Sequence, residues 1–181
     1  MIEKLIDRLI AYAKQTPYSH IGDYMERYWI VPYAYERKLR FVDRPFGWLL
    51  QKLGIAVRIH HILRSDDDRA LHDHPWWYVS LILRGWYMEV TPVYDESGLY
   101  SHRDLKAYHP GALLFRRATA KHRLIIPTLD ATDGTRRDQS CWTLFITGPY
   151  KQRWGFYPYL RTKIYWKEYV ATDFISPEIL K

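Results

Sequence analysis

From Ile55 onward the chain is a run of short β-branched and aromatic segments broken by turn residues, and this cadence constrains the fold more than any other feature. The segments are AVRIHHILR, WWYVSLILRG, WYMEVTPVY, ALLFRR, HRLIIP, CWTLFITG, QRWGFYP and KIYWKEYV. DESG, HPG, DATDGT, TGP and YPY separate most of them. No strand–helix alternation follows residue 55, which argues against a doubly wound α/β sheet. The cadence predicts eight or more strands packed as an all-β sandwich or barrel.

Helix is expected mainly before residue 55. Ile2, Leu5, Ile6, Leu9, Ile10 and Ala13 recur at helical spacing and form one apolar stripe, closed by Thr16-Pro17. RPFGWLLQKL, residues 44–53, reads as a second helix ended by Gly54. Residues 18–34 are rich in Tyr and show no clear period. The expected organisation is an N-terminal helical extension over 1–54 and a β-barrel over 55–181.

Composition bounds the function. With 16 Tyr, 8 Trp and 6 Phe, the chain carries rings suited to a barrel interior or a ring-lined pocket. Its single cysteine, Cys141, excludes an intrachain disulfide and a four-Cys zinc site and points to a reducing compartment. Charges interrupt every apolar run of the N-terminus, so no signal peptide is expected. No stretch approaches the roughly 20 apolar residues of a membrane span, and a cytoplasmic protein is expected. A net charge of +7 favours an anionic substrate or a nucleic-acid surface. For nucleic acid the basic residues are dispersed: ERKLR, RRAT and RRDQ are the densest runs, and no known binding signature accompanies them.

The sharpest chemical feature is Leu71-His72-Asp73-His74-Pro75. On a strand, residues i and i+2 share a face, so His72 and His74 project side by side, as two imidazoles on one metal require. His122, opening the segment HRLIIP, is the candidate third ligand, brought opposite the pair by a neighbouring antiparallel strand. An isolated His-x-His also occurs at structural or exposed positions. His60 and His61 are adjacent, so only one can face the interior, while His102 and His109 flank turns and read as surface. Asp73 reads as a solvated turn residue or as an acceptor for a neighbouring imidazole.

Over about residues 55–160 the chain resembles the cupin superfamily of small β-barrels. The first family motif is matched by His72, His74 and Gly85, with Tyr78 or Val79 where the motif places Glu. The second is matched by Gly111 and His122, with Arg117 and Thr119 standing where Pro and Gly belong. The tail CWTLFITGPYKQRWGFYP is similar to a pattern of small bacterial and phage cupins without a settled activity. The resemblance implies a jelly-roll barrel holding one divalent metal on His72, His74 and His122. Lacking the motif Glu, the site is similar to the three-His type of cysteine dioxygenase. That favours Fe(II), with Zn, Ni and Mn as the other candidates.

Three readings of function follow. The first is an Fe(II) oxygenase acting on a small polar or anionic substrate. The second is a metal-dependent isomerase, epimerase or lyase. The third is a metal- or ligand-binding module without turnover. Tyr78 is the candidate hydrogen-bonding or acid–base partner. Arg58, on the face shared with His60, and Arg117, near His122, are candidate anion binders, because a guanidinium grips a carboxylate or phosphate through two hydrogen bonds. Trp76 is a candidate wall of the cavity. A homodimer formed through β-strands or exchanged termini is expected from the same resemblance.

Overall fold

A computed structural model describes residues 1–18, 20–31, 44–66, 70–130, 136–158, 160 and 162–171. Its helices are α1 (Ile2–Ala13), α2 (Arg44–Lys52) and α3 (Trp166–Ala171). The strands run β1 (Met25–Val31), β2 (Ala56–Ile62), β3 (Leu71–His72), β4 (Tyr78–Arg84), β5 (Tyr87–Tyr94), β6 (Tyr100–Tyr108) and β7 (Leu113–Arg116). They continue with β8 (Arg123–Ile125), β9 (Thr128–Asp130), β10 (Arg136–Asp138), β11 (Cys141–Thr147), β12 (Gly155–Tyr157) and β13 (Ile164–Tyr165). Among the described residues no helix interrupts the strands between 76 and 126, as the cadence predicts.

One layer is a five-stranded antiparallel sheet in the order β1-β2-β11-β4-β7. Cross-strand register sorts its side chains into two faces. Tyr28, Ile59, Leu144 and Leu81 align across the outer face. There α1 lays Ile10 and Ala13 against Tyr28, Ile59, Leu83 and Trp142, with Ile6 and Leu9 at the margin. Ile59 is fully buried, a burial that contributes about 2 kcal/mol. Arg84 clamps the helix to the sheet through Glu3 and Asp7, each at 2.8 Å.

Trp29, Arg58, Phe145, Ser80 and Leu114 align across the inner face. Arg27, His60, Thr143 and Ile82 form the next row. One end of this interior is apolar, built from Met25, Ile62, Ile82, Tyr87, Leu114, Leu124, Ile126 and Cys141. The other end holds the aromatic and basic side chains.

The remaining strands form the sheets β6-β5-β8 and β13-β12-β3 and the pair β10-β9. An isolated antiparallel bridge between His72 and His122 joins the two three-stranded sheets. The result is a mainly β jelly roll of cupin type with helix α1 on its outer face. Among the described residues hydrogen bonding does not close the sheets into a continuous barrel. Gly85 turns β4 into β5 at φ +71°, and a Cβ there would lie 2.0 Å from the Ser140 carbonyl oxygen, so only glycine fits.

Two segments depart from the sequence reading. Residues 18–34 contain β1, whose alternation is masked because Glu26, Arg27, Tyr28 and Trp29 put bulky or charged groups on both faces. KIYWKEYV, read as a strand, supplies only the two residues of β13 before α3 begins. In α3, Trp166 and Tyr169 are one turn apart and stack on Trp154 and Phe156, with centroids at 5.6 and 4.4 Å. That pairing selects helix over strand. The basic run ERKLR lies outside the described residues. Among the described residues no helix is long and apolar enough to cross a membrane.

Candidate metal centre

The bridge between the two small sheets positions the imidazoles. The His72 N–H donates to the His122 carbonyl at 2.8 Å, and the His122 N–H donates back to the His72 carbonyl at 2.9 Å. Residues paired in this way present their side chains on one face, and the two rings lie with centroids 4.6 Å apart. Two residues beyond His72, the backbone N–H of His74 donates to the Ala118 carbonyl at 3.1 Å. This holds His74 on the same side although β3 has ended. The Nε2 atoms of His74 and His122 are 2.8 Å apart. One ring nitrogen from each of His72, His74 and His122 lies within 4.8 Å of the others.

A carboxylate absent from the sequence reading sets the protonation of this group. Glu89, on β5 and almost wholly buried, accepts a hydrogen bond from His122 Nδ1 at 2.9 Å. It also pairs with Arg116, which in turn donates to the Tyr108 hydroxyl at 2.9 Å. Burial opposes ionisation of Glu89, but the bonds from His122 and Arg116 outweigh it and hold the carboxyl at about 2. With Nδ1–H committed to Glu89, the neutral form of His122 carries its lone pair at Nε2. Burial, above all, lowers His72 to about 4 and His74 well below the ordinary imidazole range, so both are neutral at pH 7. Asp66 stands 3.7 Å from His72 Nδ1 and partly opposes that shift.

This donor set fits a divalent cation. Two imidazole nitrogens facing each other at 2.8 Å can share one N–H as a hydrogen bond, or can turn both lone pairs to a common cation once that proton is lost. The third nitrogen, the neutrality of His72 and His74 and the carboxylate behind His122 are features that a metal-binding triad with an outer partner would have. Among the described residues the group contains no carboxylate, in keeping with Tyr78 standing in the Glu position.

Tyr78 is buried, and its hydroxyl lies 3.3 Å from Nε2 and 3.4 Å from Nδ1 of His122. Near-equal distances place it across the imidazole rather than along one lone pair. Burial and then the charge of Glu89 raise its pKa well above the ordinary range, so the phenol stays protonated and is a donor.

Asp73 is not a solvated turn residue. It is buried, turned away from the imidazoles, and accepts bonds from Lys163 at 2.6 Å, the Gly155 N–H at 2.8 Å and the Tyr157 hydroxyl at 2.9 Å. Gln152 Nε2 adds contacts of 2.9 to 3.0 Å to Asp73, the His74 carbonyl and the Ala118 carbonyl. The chain around the two histidines is thereby tied to β12 and to the loop leading to His122.

The remaining candidates separate. Arg58 is buried on the inner face, with its guanidinium carbon 4.5 Å from the Trp29 ring centroid and 5.4 Å from that of Trp76. Trp76 in turn packs on His74 at 6.3 Å. Of the His60–His61 pair, His60 faces inward, while His61 stacks on Trp142 and bonds to Glu26. Arg117 is exposed and lines a surface hollow of about 340 Å³ with Trp77, Phe115 and Lys151, and it is not brought to the imidazoles. The one sequence signal that could have exposed Glu89 is its phase on β5, where it shares the buried side with Tyr87. A carboxylate at an inward position is rare without a partner.

Solved structures match the chain at low identity. The vicilin from Solanum melongena matches with a TM-score of 0.51 at 9% identity, over 84% of this chain and 36% of that one. The polyketide cyclase RemF from Streptomyces resistomycificus gives 0.48 at 14%, over 89% and 86% of the two chains. Oxalate oxidase in complex with the substrate analogue glycolate gives 0.46 at 11%, over 81% and 62%. The chain spans 32–36% of the length of the plant globulin and vicilin chains it matches first. No family model and no curated protein matches the sequence. The vicilin likeness is one of fold.

Proposed function

We propose that the chain is a metal-dependent cupin enzyme in which His72, His74 and His122 hold one divalent ion, Fe(II) in preference to Zn, Ni or Mn, and that it oxygenates a small anionic substrate. The observation that carries this reading is the convergence of three imidazole nitrogens, with Glu89 bonded to the far nitrogen of His122. When bound, the ion supplies redox or Lewis-acid chemistry at the coordination positions three histidines leave open.

The chain's own groups divide the remaining work. Glu89 and Arg116 keep His122 in one tautomer. Tyr78 holds a proton beside His122 and can donate it to a substrate oxygen. Arg58 and Trp76 stand on the substrate side, and Trp29, Phe145 and Trp76 exclude water there. Arg117 would act only at the rim. The reading as isomerase, epimerase or lyase draws on Tyr78, since a neutral buried phenol is a competent general acid. A homodimer belongs to the same proposal. Its support is the edge strand β7, which leaves Leu113 and Phe115 exposed, and light scattering tests it.

Metal analysis of untagged protein is the decisive first experiment. Iron near one per chain with substrate-dependent dioxygen uptake supports the oxygenase. Zinc with turnover in the absence of oxygen supports the Lewis-acid enzyme. Protein that binds no divalent metal at neutral pH defeats both.

A further inference from the structure

Among the described residues, no carboxylate neutralises the Arg58 guanidinium in the interior beside the histidines. Arg58 is 9% exposed, and its Nε has no hydrogen-bond partner. Its contacts are the faces of Trp29, Trp76 and Tyr18, at 4.5, 5.4 and 5.7 Å. Among the described residues the neighbours that act on its charge are Tyr18 and a second guanidinium, Arg27, and neither is a carboxylate. Two more polar atoms close by are buried without partners, His60 Nε2 and Trp76 Nε1. His60 is next but one to Arg58 on β2, on the same face. Rings compensate a buried cation in part, but a desolvated guanidinium is stabilised fully only by an anion that meets its N–H edge.

We propose that Arg58, His60 and Trp76 form a carboxylate-binding subsite that anchors the acid group of a small, flat organic acid whose other end faces the three histidines. All three groups can donate: Arg58 through its fork, Trp76 through the indole N–H, and His60 through Nε2 in the matching tautomer. Burial together with the charges of Arg58 and Arg27 keeps His60 neutral, so it can supply that one donor without adding a third cation. Tyr18, Trp29 and Trp76 present their ring faces to the guanidinium, and a planar carboxylate can meet its N–H fork through two parallel hydrogen bonds. Phe145 connects the two ends of the site. It pairs with Arg58 in the strand register, stacks on His60 at 4.4 Å and on Tyr78 at 4.9 Å, and lies 6.5 Å from His74. An apolar or aromatic ligand body suits such walls.

This inference rests on the reading of the histidines as the reacting end, yet the subsite can be tested without any metal. Benzoate is the probe, benzamide its neutral isostere and inorganic phosphate the tetrahedral control, each titrated into the metal-free full chain with tryptophan fluorescence and thermal shift as readouts. Benzoate should bind at least tenfold more tightly than either control. Arg58→Gln should abolish the preference for benzoate over benzamide, and Trp76→Phe, which keeps the ring and removes the N–H, should weaken benzoate several-fold. Arg58→Gln should still load metal as the unaltered protein does. Equal binding of benzoate and benzamide by the unaltered protein, or tighter binding of phosphate, overturns the proposal without recourse to any variant. Failure of metal loading in the unaltered protein, with benzoate binding intact, would overturn the enzyme reading and leave the subsite standing.

Discussion

His72 and His122 are the two halves of a single antiparallel bridge, exchanging backbone hydrogen bonds of 2.8 and 2.9 Å where the sheet β6-β5-β8 meets the sheet β13-β12-β3. The same pairing that joins the sheets aligns the two rings. The backbone bridge therefore sets how the two rings face each other. His72→Ala, His74→Ala and His122→Ala should each lower affinity for a divalent metal by more than about 100-fold, since loss even of an outer partner typically costs 10–100-fold. Circular dichroism should show the strand structure retained. His102→Ala and His109→Ala, at exposed positions, should leave the metal content unchanged. Unaltered metal content in all three ligand variants would remove the centre.

Glu89 is the outer partner whose loss should be felt at the metal. Glu89→Gln keeps the volume but can present an amide N–H to His122, which relaxes the tautomer and leaves Arg116 without its counter-charge. Metal affinity is expected to fall by about 10–100-fold. The fold should lose about 3 kcal/mol, because a partly buried ion pair has been broken from one side. Isothermal titration with zinc and urea unfolding read the two effects separately. An unchanged zinc affinity would show that Glu89 acts on Arg116 alone.

Asp73 should prove a purely structural carboxylate. Its partners Gln152, Gly155, Tyr157 and Lys163 lie 79 to 90 residues further along, so it ties the region of the ligands to the C-terminal part of the fold. Asp73→Ala leaves Lys163 and a backbone N–H unsatisfied and is expected to cost about 3–5 kcal/mol. The urea midpoint should fall accordingly. A stability within about 0.5 kcal/mol of that of the unaltered protein would contradict the network.

Acid should destabilise the metal-free protein earlier than carboxylates alone would allow. His72 is pushed from its ordinary 6.5 to about 4, chiefly by burial, against the pull of Asp66, Asp73 and Glu89 and with the help of His122. A lowered folded pKa means that the unfolded chain takes up the proton first. The stability tied to a neutral His72 is fully present above pH 6.5 and is lost as pH falls towards 4. The total is on the order of 3 kcal/mol, of which about 2 should be gone at pH 5. His74 shifts in the same direction and adds to the loss. Glu89, held at about 2, adds its own loss only below the ordinary carboxylate range. Urea midpoints at pH 7.5 and pH 5 measure this, and equal midpoints would refute it.

What could be read from the sequence and what could not divide along physical lines. The strands after residue 55 were legible because β-branched and aromatic runs end at turn residues, and Gly85 and Gly111 both have positive φ, as turn glycines do. His72, His74 and His122 were legible from strand period and motif spacing. Arg58 could be placed with His60 because both share one face of β2. Glu89 was hidden because its partner His122 is 33 residues away and it belongs to no motif. Strand β1 was hidden because aromatic and charged groups on both faces erase the alternation. The role of Asp73 depends wholly on partners that only the tertiary fold brings to it.

Tyr78 separates a ligand from a proton donor, and its removal is the last test of the site. The hydroxyl lies 3.3–3.4 Å from both nitrogens of His122, a position beside the imidazole group and not one of its three converging donors. Burial and the nearby Glu89 charge keep the phenol protonated, whereas a metal ligand would have to give its proton up. Tyr78→Phe is therefore expected to bind one cobalt(II) per chain with unchanged affinity, read from the visible absorption of the bound ion. With the substrate once found, turnover should fall by about 10²–10⁴-fold if the phenol donates a proton in the reaction. A Tyr78→Phe protein that loses cobalt would make Tyr78 a fourth ligand in the position where the family motif places Glu, and the neutral three-histidine set would have to be abandoned.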